Sequence, residues 1–202
     1  MIHKARNYCQ HLCQGDLLYW PKFYPAQQAS QTFERLLIDL NWQQGEISMF
    51  GKKVAIPRLQ AWYGDDNAHY KYSGLLLEPE PWHHVLAQIK QDLEHHLTLT
   101  FNSVLCNLYR HGQDSMGWHS DNEKQLGEQP NIASLSFGQC RKFYIRHKVS
   151  GEKQQIDLQS GSLLLMRNQF QQHWQHSVPK SAKPMQQRIN LTFRNICYPI
   201  KS

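Results

Sequence analysis

The 202-residue chain contains no stretch approaching the ~20 consecutive apolar residues that cross a bilayer. It also lacks, near its start, the apolar core of roughly 7–15 residues that a secretory signal needs. Internal repeats, low-complexity tracts and linkers are absent too, which sets aside solenoids, fibrous chains and tethered multidomain designs. Cysteine is scarce: Cys9, Cys13, Cys106, Cys140 and Cys197 are odd in number and scattered. That spacing argues against a disulfide framework and for a reducing compartment. The expectation is a soluble, cytoplasmic protein with no membrane partner. Acids are fewer than bases, 16 against 22, leaving a formal net charge of +6. A basic surplus favours a polyanionic partner, although many proteins of no special affinity are this basic.

What is present suits one domain, residues 1–202, with a full core. Apolar residues make up 40% of the chain, including six tryptophans, nine tyrosines and eight phenylalanines. From Pro25, Ala26, Ala29, Phe33, Leu36, Leu37 and Leu40 recur at helical spacing. From about Pro81, Trp82, Val85, Leu86, Ile89, Leu93 and Leu97 do the same, and both stripes read as core-facing surfaces. Further on come short aliphatic and aromatic runs: Thr100–Tyr109, Ile132–Phe137, Arg141–Arg146, Ser162–Met166 and Arg188–Phe193. Glycines separate them, with no interleaved helices, which indicates an antiparallel sandwich or barrel. Helices first and strands later give an α+β layout: a double-stranded β-helix (jelly-roll) barrel buttressed by N-terminal helices.

Trp118-His119-Ser120-Asp121 puts an imidazole and a carboxylate two residues apart, on one face of an extended segment. His176 stands far along the chain in Trp174-Gln175-His176. Two histidines and one carboxylate, with neighbouring coordination positions open, form the ligand set of non-haem Fe(II) oxygenases. His-x-Asp alone is common, and the chain has 12 histidines. His173 and His111 therefore compete for the distal position, while His83, His84, His95 and His96 read as solvated or capping residues of the second helix. Cys9 and Cys13 with His11 offer zinc donors, but no second pair follows.

Arg188-Ile189-Asn190-Leu191-Thr192-Phe193-Arg194 alternates strictly. Arg188, Asn190, Thr192 and Arg194 face one way, and the apolar three face the other. Two arginines, an amide and a hydroxyl on so apolar a strand call for an anion opposite, such as a dicarboxylate gripped by guanidinium forks. The alternative is an exposed edge strand whose arginines meet solvent. Six residues of strand span ~20 Å, so the two arginines serve different ends of any small ligand. Asn107 and Tyr109 form a second polar pair on one strand face shortly before the His-x-Asp segment.

Taken together these segments resemble the AlkB family of alkylation-repair dioxygenases, closest to its animal DNA-repair members. The matching residues are 57–64 (Pro-Arg-Leu-Gln-Ala-Trp-Tyr-Gly), 107–109 (Asn-Leu-Tyr), 118–121, 134–138 (Ser-Leu-Ser-Phe-Gly), 174–176 and 188–194, from about residue 40 to the end. The resemblance implies that His119, Asp121 and His176 hold Fe(II). It implies that Asn107, Tyr109, Arg188 and Arg194 hold 2-oxoglutarate, with Asn190 and Thr192 beside them and Arg188 at the far carboxylate. O₂ is the other co-substrate. The reaction would turn 2-oxoglutarate into succinate and release formaldehyde from bases of the 1-methyladenine and 3-methylcytosine type. The expected partner is DNA, single strand favoured over duplex, with RNA as an alternative and the protein acting as a monomer; in a eukaryote the location would be nuclear.

Family members cover a flipped-out base with a recognition lid, here about residues 40–75, including Trp42, Phe50, Lys52, Tyr70, Lys71 and Tyr72. Tyr70 and Tyr72 share a face and suit base stacking, and Phe50 suits a wedge. One departure stands out: Asn122 occupies the place of the family's usual second acid, which lowers the attraction for a cationic base. Competing readings are the same chemistry on RNA or on protein side chains, and a module that binds alkylated nucleic acid without turnover.

Overall fold

A computed structural model describes residues 8–49, 52–68, 70–72 and 75–197. The chain opens with strands β1 (Gln10–Leu12) and β2 (Leu17–Trp20), then helix α1 (Ala26–Asp39). Strands β3 (Gln43–Met49), β4 (Lys52–Gly64), β5 (Tyr70–Tyr72) and β6 (Leu75–Leu77) lead to helix α2 (His84–Leu97). There follow β7 (Ser103–Tyr109), β8 (Met116–His119), β9 (Ile132–Gly138), β10 (Arg141–His147), β11 (Lys153–Leu158) and β12 (Ser162–Met166). A one-turn helix α3 (Phe170–His173) and strands β13 (Trp174–Val178) and β14 (Arg188–Arg194) complete it.

The strands form an eight-stranded sheet, β1-β2-β12-β9-β14-β7-β4-β3, and a four-stranded sheet, β11-β10-β13-β8, beside the small β5-β6 pair. Alternation along the large sheet divides the apolar residues into two cores. Leu18, Leu135, Leu163, Ile189, Leu191 and Phe193 pack with Leu36 of α1 and with Leu86, Ile89 and Leu93 of α2. Leu17, Tyr19, Leu105, Leu164 and Met166 point the other way, onto Phe143, Ile145, Ile156, Trp174 and Val178 of the small sheet. The result is three layers, helices on sheet on sheet, as expected of a buttressed jelly roll. Each fully buried Leu or Phe contributes roughly 1.5–3 kcal/mol, so the helix-facing core alone stabilises the scaffold strongly.

Two strand regions differ from the helices-then-strands order. All four residues of β2 are buried, because it lies between β1 and β12. A strand covered on both faces shows no alternation to read. In β4, Pro57 falls where the register with β3 shifts, between the pairs Gln44↔Leu59 and Glu46↔Ala55. That bulge accommodates a residue with no N–H to give the ladder. Pairing of β4 with β7 starts only at Leu59, so the outer part of the β3–β4 hairpin extends past the sheet.

Candidate active site

β14 is a central strand, paired with β7 and β9, and all seven of its residues are buried. The solvent-facing alternative for its arginines is therefore excluded. The apolar face meets the helices, and the polar face, Arg188, Asn190, Thr192 and Arg194, lines a cavity between the sheets together with Asn107, Tyr109, His119, Asp121 and His176. β8 ends at His119, and β13 carries His176 directly across from it in the ladder. Asp121 follows β8 in a loop fixed from a distance. Its backbone N–H donates to Gln171 Oε1 of α3 at 2.9 Å, and Ser120 Oγ donates to the Trp174 carbonyl at 2.8 Å.

The three donor groups converge. His119 Nε2 lies 3.8 Å from Asp121 Oδ1, His176 Nε2 lies 4.0 Å from Asp121 Oδ2, and all three ligand atoms fall within 4.8 Å of one another. His119 Nδ1 faces the Gly117 carbonyl at 2.9 Å. A carbonyl only accepts, so in the neutral ring the proton sits on Nδ1 and the Nε2 lone pair faces the cluster. Burial, reinforced by the nearby His119, pushes the His176 imidazole down to about 3, which keeps it neutral and able to ligate. Burial would raise the Asp121 carboxyl, but Arg194, with His176 and His119, more than reverses this and holds it below the usual carboxylate range. The Arg194 contact is Nη2 to Oδ1 at 3.2 Å. The exposed His173 and His111 lie apart from the cluster. Asp39, His83 and His84 also come close together, but Arg35 already contacts both Asp39 and His84 at 3.2 Å.

At the other end of β14, Arg188 is 1% exposed and lies with its guanidinium 5.0 Å from the centre of the Tyr109 ring. Its Nη2 donates to Ser136 Oγ at 2.9 Å, while Nε and Nη1 are buried without a hydrogen-bond partner. Asn190 Nδ2 donates to Ser134 Oγ and the Leu135 carbonyl, and Thr192 Oγ1 donates to Asn190 Oδ1 at 3.1 Å. Asn107 Oδ1 accepts from Gln60 Nε2 at 3.0 Å and from Arg58 Nε at 2.8 Å. Arg58, buried and lining the same cavity, is a third cavity arginine that sequence reasoning passed over. The alternation Arg58, Gln60, Trp62 was its available signal.

The lid expectations are met unevenly. Trp42 is corrected: its ring packs on the helix-facing core and its Nε1 donates to the Leu37 carbonyl at 3.3 Å, on the side of the sheet away from the cavity. It follows α1 directly, and the nearest apolar surface takes it. Phe50 lies outside the described residues, as do the side chains of Lys52, Tyr70, Lys71 and Tyr72, whose backbones belong to β4 and β5. Asn122 is exposed, while its neighbour Glu123 keeps Oε2 buried. A wider cavity of about 600 Å³ lies along the β3–β4 hairpin, lined by Gln44, Ile47, Ile56, Gln60 and Trp62, and by Leu105, which also lines the first cavity.

A jelly roll that brings two histidines and an aspartate together opposite buried arginines defines a 2-oxoglutarate- and Fe(II)-using oxygenase, and residues 16–194 match the 2OG-Fe(II) oxygenase superfamily, to which the chain belongs. Among its relatives, alpha-ketoglutarate-dependent dioxygenase alkB homolog 3 of Bos taurus is 43% identical over 189 residues, 89% of this chain. DNA oxidative demethylase ALKBH2 of Homo sapiens is 40% identical over 206 residues, 96% of this chain and 79% of its own length. The chain spans 65% of the length of the bovine relative. The solved structure of OsALKBH1 shares the fold, with a TM-score of 0.64 and 17% identity over 93% of this chain and 100% of that one. The AlkB resemblance read from the motifs is borne out.

The residues present fit the family's reagents. A neutral imidazole, a second ring with its lone pair turned inward and an ionised carboxylate suit a divalent first-row metal. The unpartnered N–H groups of Arg188 suit a carboxylate. Among the described residues no helix is long and apolar enough to cross a membrane.

Proposed function

We propose that the protein oxidatively removes small alkyl groups from N-alkylated bases, of the 1-methyladenine and 3-methylcytosine type, in DNA, with single strands favoured. The observation that carries this reading is one buried cavity holding a His-Asp-His cluster at one end and a partnerless guanidinium edge, that of Arg188, at the other. The printed names of the human and bovine relatives, a DNA oxidative demethylase and an alkB homologue, point to DNA bases.

His119, Asp121 and His176 would hold Fe(II), which when bound supplies the O₂ activation that couples conversion of 2-oxoglutarate to succinate with hydroxylation of the alkyl carbon. Arg188 takes the far carboxylate of 2-oxoglutarate, with Tyr109 under its guanidinium and Asn190 close by. Arg194 keeps Asp121 ionised and oriented. Asn107, fixed by Arg58 and Gln60, closes the wall between the two cavities. A hydroxylated N-methyl carbon is lost as formaldehyde, which restores the pairing edge. The target base must leave its stack, and the cavity beside the β3–β4 hairpin falls within the roughly 300–1,000 Å³ of ordinary ligand sites. Residues 40–75 would serve as its lid. The turn between β10 and β11 is short, closed by the His147 N–H donating to the Glu152 carbonyl at 2.8 Å. It offers little reach toward a second strand, which favours single-stranded substrate.

The test is incubation with Fe(II), ascorbate and 2-oxoglutarate plus matched oligonucleotides carrying one 1-methyladenine, as single strand, duplex and RNA, followed by mass spectrometry. Loss of the methyl group with formaldehyde release, fastest on single-stranded DNA, is expected. Equal or faster repair of the duplex would sink the strand preference, and an unchanged methyl group on every substrate would sink the reading as a whole.

A further inference from the structure

Both long helices lie on the eight-stranded sheet. The outer face of the four-stranded sheet carries neither. The alternation that sends Phe143, Ile145, Ile156 and His176 inward sends Lys142, Tyr144, Arg146, Lys153 and Gln175 outward, with Trp118 beside them on β8. Trp118 is 40% exposed, and β8 is the edge strand of that sheet. The Arg146 guanidinium lies 4.7 Å from the centre of its ring and is held there by Nη2 donating to Gln175 Oε1 at 2.8 Å. One exposed tryptophan means little by itself. The charge around it means more. Lys142 and Lys153 are exposed, and the one acid on the face, Asp157, stands opposite Lys142. Arg146 stands directly opposite Lys153 in the β10–β11 ladder. Like charges facing across a ladder are destabilising, so nothing within the sheet rewards that pair. An anion lying on the surface would.

The geometry points to this face as a second nucleic-acid contact, a track for the single strand that flanks the target nucleotide. This rests on the reading of the substrate as nucleic acid. Arg146, Lys153 and Lys142 meet the phosphates, and Trp118 is the stacking platform, with Tyr144 further in. Aromatic rings on an open basic sheet are how sequence-tolerant single-strand binders work. Trp118 and His119 are consecutive and face opposite sides of β8. A strand crossing the sheet therefore passes over this edge to the rim of the metal cavity without meeting another element.

The experiment measures binding, not turnover. The full chain, loaded with Fe(II) and 2-oxoglutarate under anaerobic conditions, is titrated into a fluorescein-labelled, undamaged single-stranded oligodeoxynucleotide of about 16 nucleotides. Trp118→Ala should weaken binding about tenfold, within the stacking range for one base, and Trp118→Phe should keep most of the affinity. The triple variant Lys142→Gln, Arg146→Gln, Lys153→Gln should flatten the salt dependence, lowering the log–log slope by about 2 at roughly 0.7 per lost phosphate contact. An abasic site walked along the strand should weaken the parent protein at one position and leave Trp118→Ala unaffected there. Circular dichroism checks that each surface variant stays folded. If the parent protein binds but Trp118→Ala matches it and the triple variant keeps its slope, the track is refuted while base demethylation stands. If the parent protein neither binds methylated or plain strands nor releases formaldehyde, the nucleic-acid reading itself has failed, and the track with it.

Discussion

Arg188 is a buried cation that awaits a partner, and Arg188→Met separates what it does for the fold from what it does for 2-oxoglutarate. Methionine keeps most of the apolar stem and removes the guanidinium. In the co-substrate-free protein the variant loses the bond to Ser136, about 1.5–3 kcal/mol for a charged donor, and the contact with the Tyr109 ring, up to about 2 kcal/mol when desolvated. It also sheds two buried, unpartnered N–H groups, about 1–3 kcal/mol each, and the several kcal/mol that a buried ion costs. Burial already pushes the guanidinium down from its ordinary value. The balance favours the variant by about 1 kcal/mol, a rise in Tm of roughly 2–4 °C for a chain of this size. With co-substrate the sign reverses. Two charge-assisted bonds to a carboxylate are lost, and the KM for 2-oxoglutarate should rise at least about a hundredfold, roughly 2.8 kcal/mol. Thermal unfolding with and without 2-oxoglutarate, together with succinate-release kinetics, reads both effects. A variant that unfolds some 2 kcal/mol more easily without ligand, yet keeps its KM, would show that Arg188 serves the scaffold only.

Alanine at His119, Asp121 or His176 should abolish turnover and weaken Fe(II) binding by more than the roughly 10–100-fold typical of outer-shell losses, while His173→Ala keeps activity; iron titration of the four variants checks this, and a dead His173→Ala would overturn the ligand assignment. Asn122→Asp restores a charge near the base and should improve 1-methyladenine repair about fivefold over neutral ethenoadducts, about 1 kcal/mol for an exposed pair; equal effects on both lesions would mean the position does not sense base charge. Asp114 is buried and accepts from the Arg110 backbone N–H, Nε and Nη2. Burial would raise its carboxyl, but the Arg110 contacts overcome this and hold it below its ordinary value. Its stabilisation is therefore present above the unfolded value of about 3.9 and fades as pH falls through the lower folded value. Asp114→Asn should cost about 1.5–3 kcal/mol at neutral pH, the gap closing in acid; urea unfolding across pH measures it, and a gap unchanged at the acid end would refute the linkage.

Much of this was legible in the sequence because strand chemistry is periodic. In β14 polar and apolar residues alternate without a break, and that pattern survives burial on both faces, so its polar side could be assigned to a ligand before its partners were known. The His119 and Asp121 pair follows from the same two-residue period. Features made by distant parts of the chain were not legible. Gln171 fixes Asp121 from 50 residues away, and no local pattern announces it. Arg58 looks like any surface arginine until β4 pairs with β7 and turns it inward. Trp42 shows the opposite failure: an indole suits a base or a core equally well, and only the position of α1 decides. Pro57 hid β4, since a bulge is needed before a strand tolerates it.

His119 and His176 belong to the four-stranded sheet, and Arg188 and Arg194 to the eight-stranded one. Metal and co-substrate, seated between them, act as a clasp. A ligand that binds only the closed protein stabilises it by about 2.7 kcal/mol at a hundred times its Kd, and here that gain opposes the parting of the two sheets. Proteases attack the opened state, so the clasp sets how long each copy survives. When iron or 2-oxoglutarate runs short the sheets part more often and the protein is cleared sooner. Its abundance then follows the cell's supply of the reagents it consumes, with no sensor beyond the seam between two sheets.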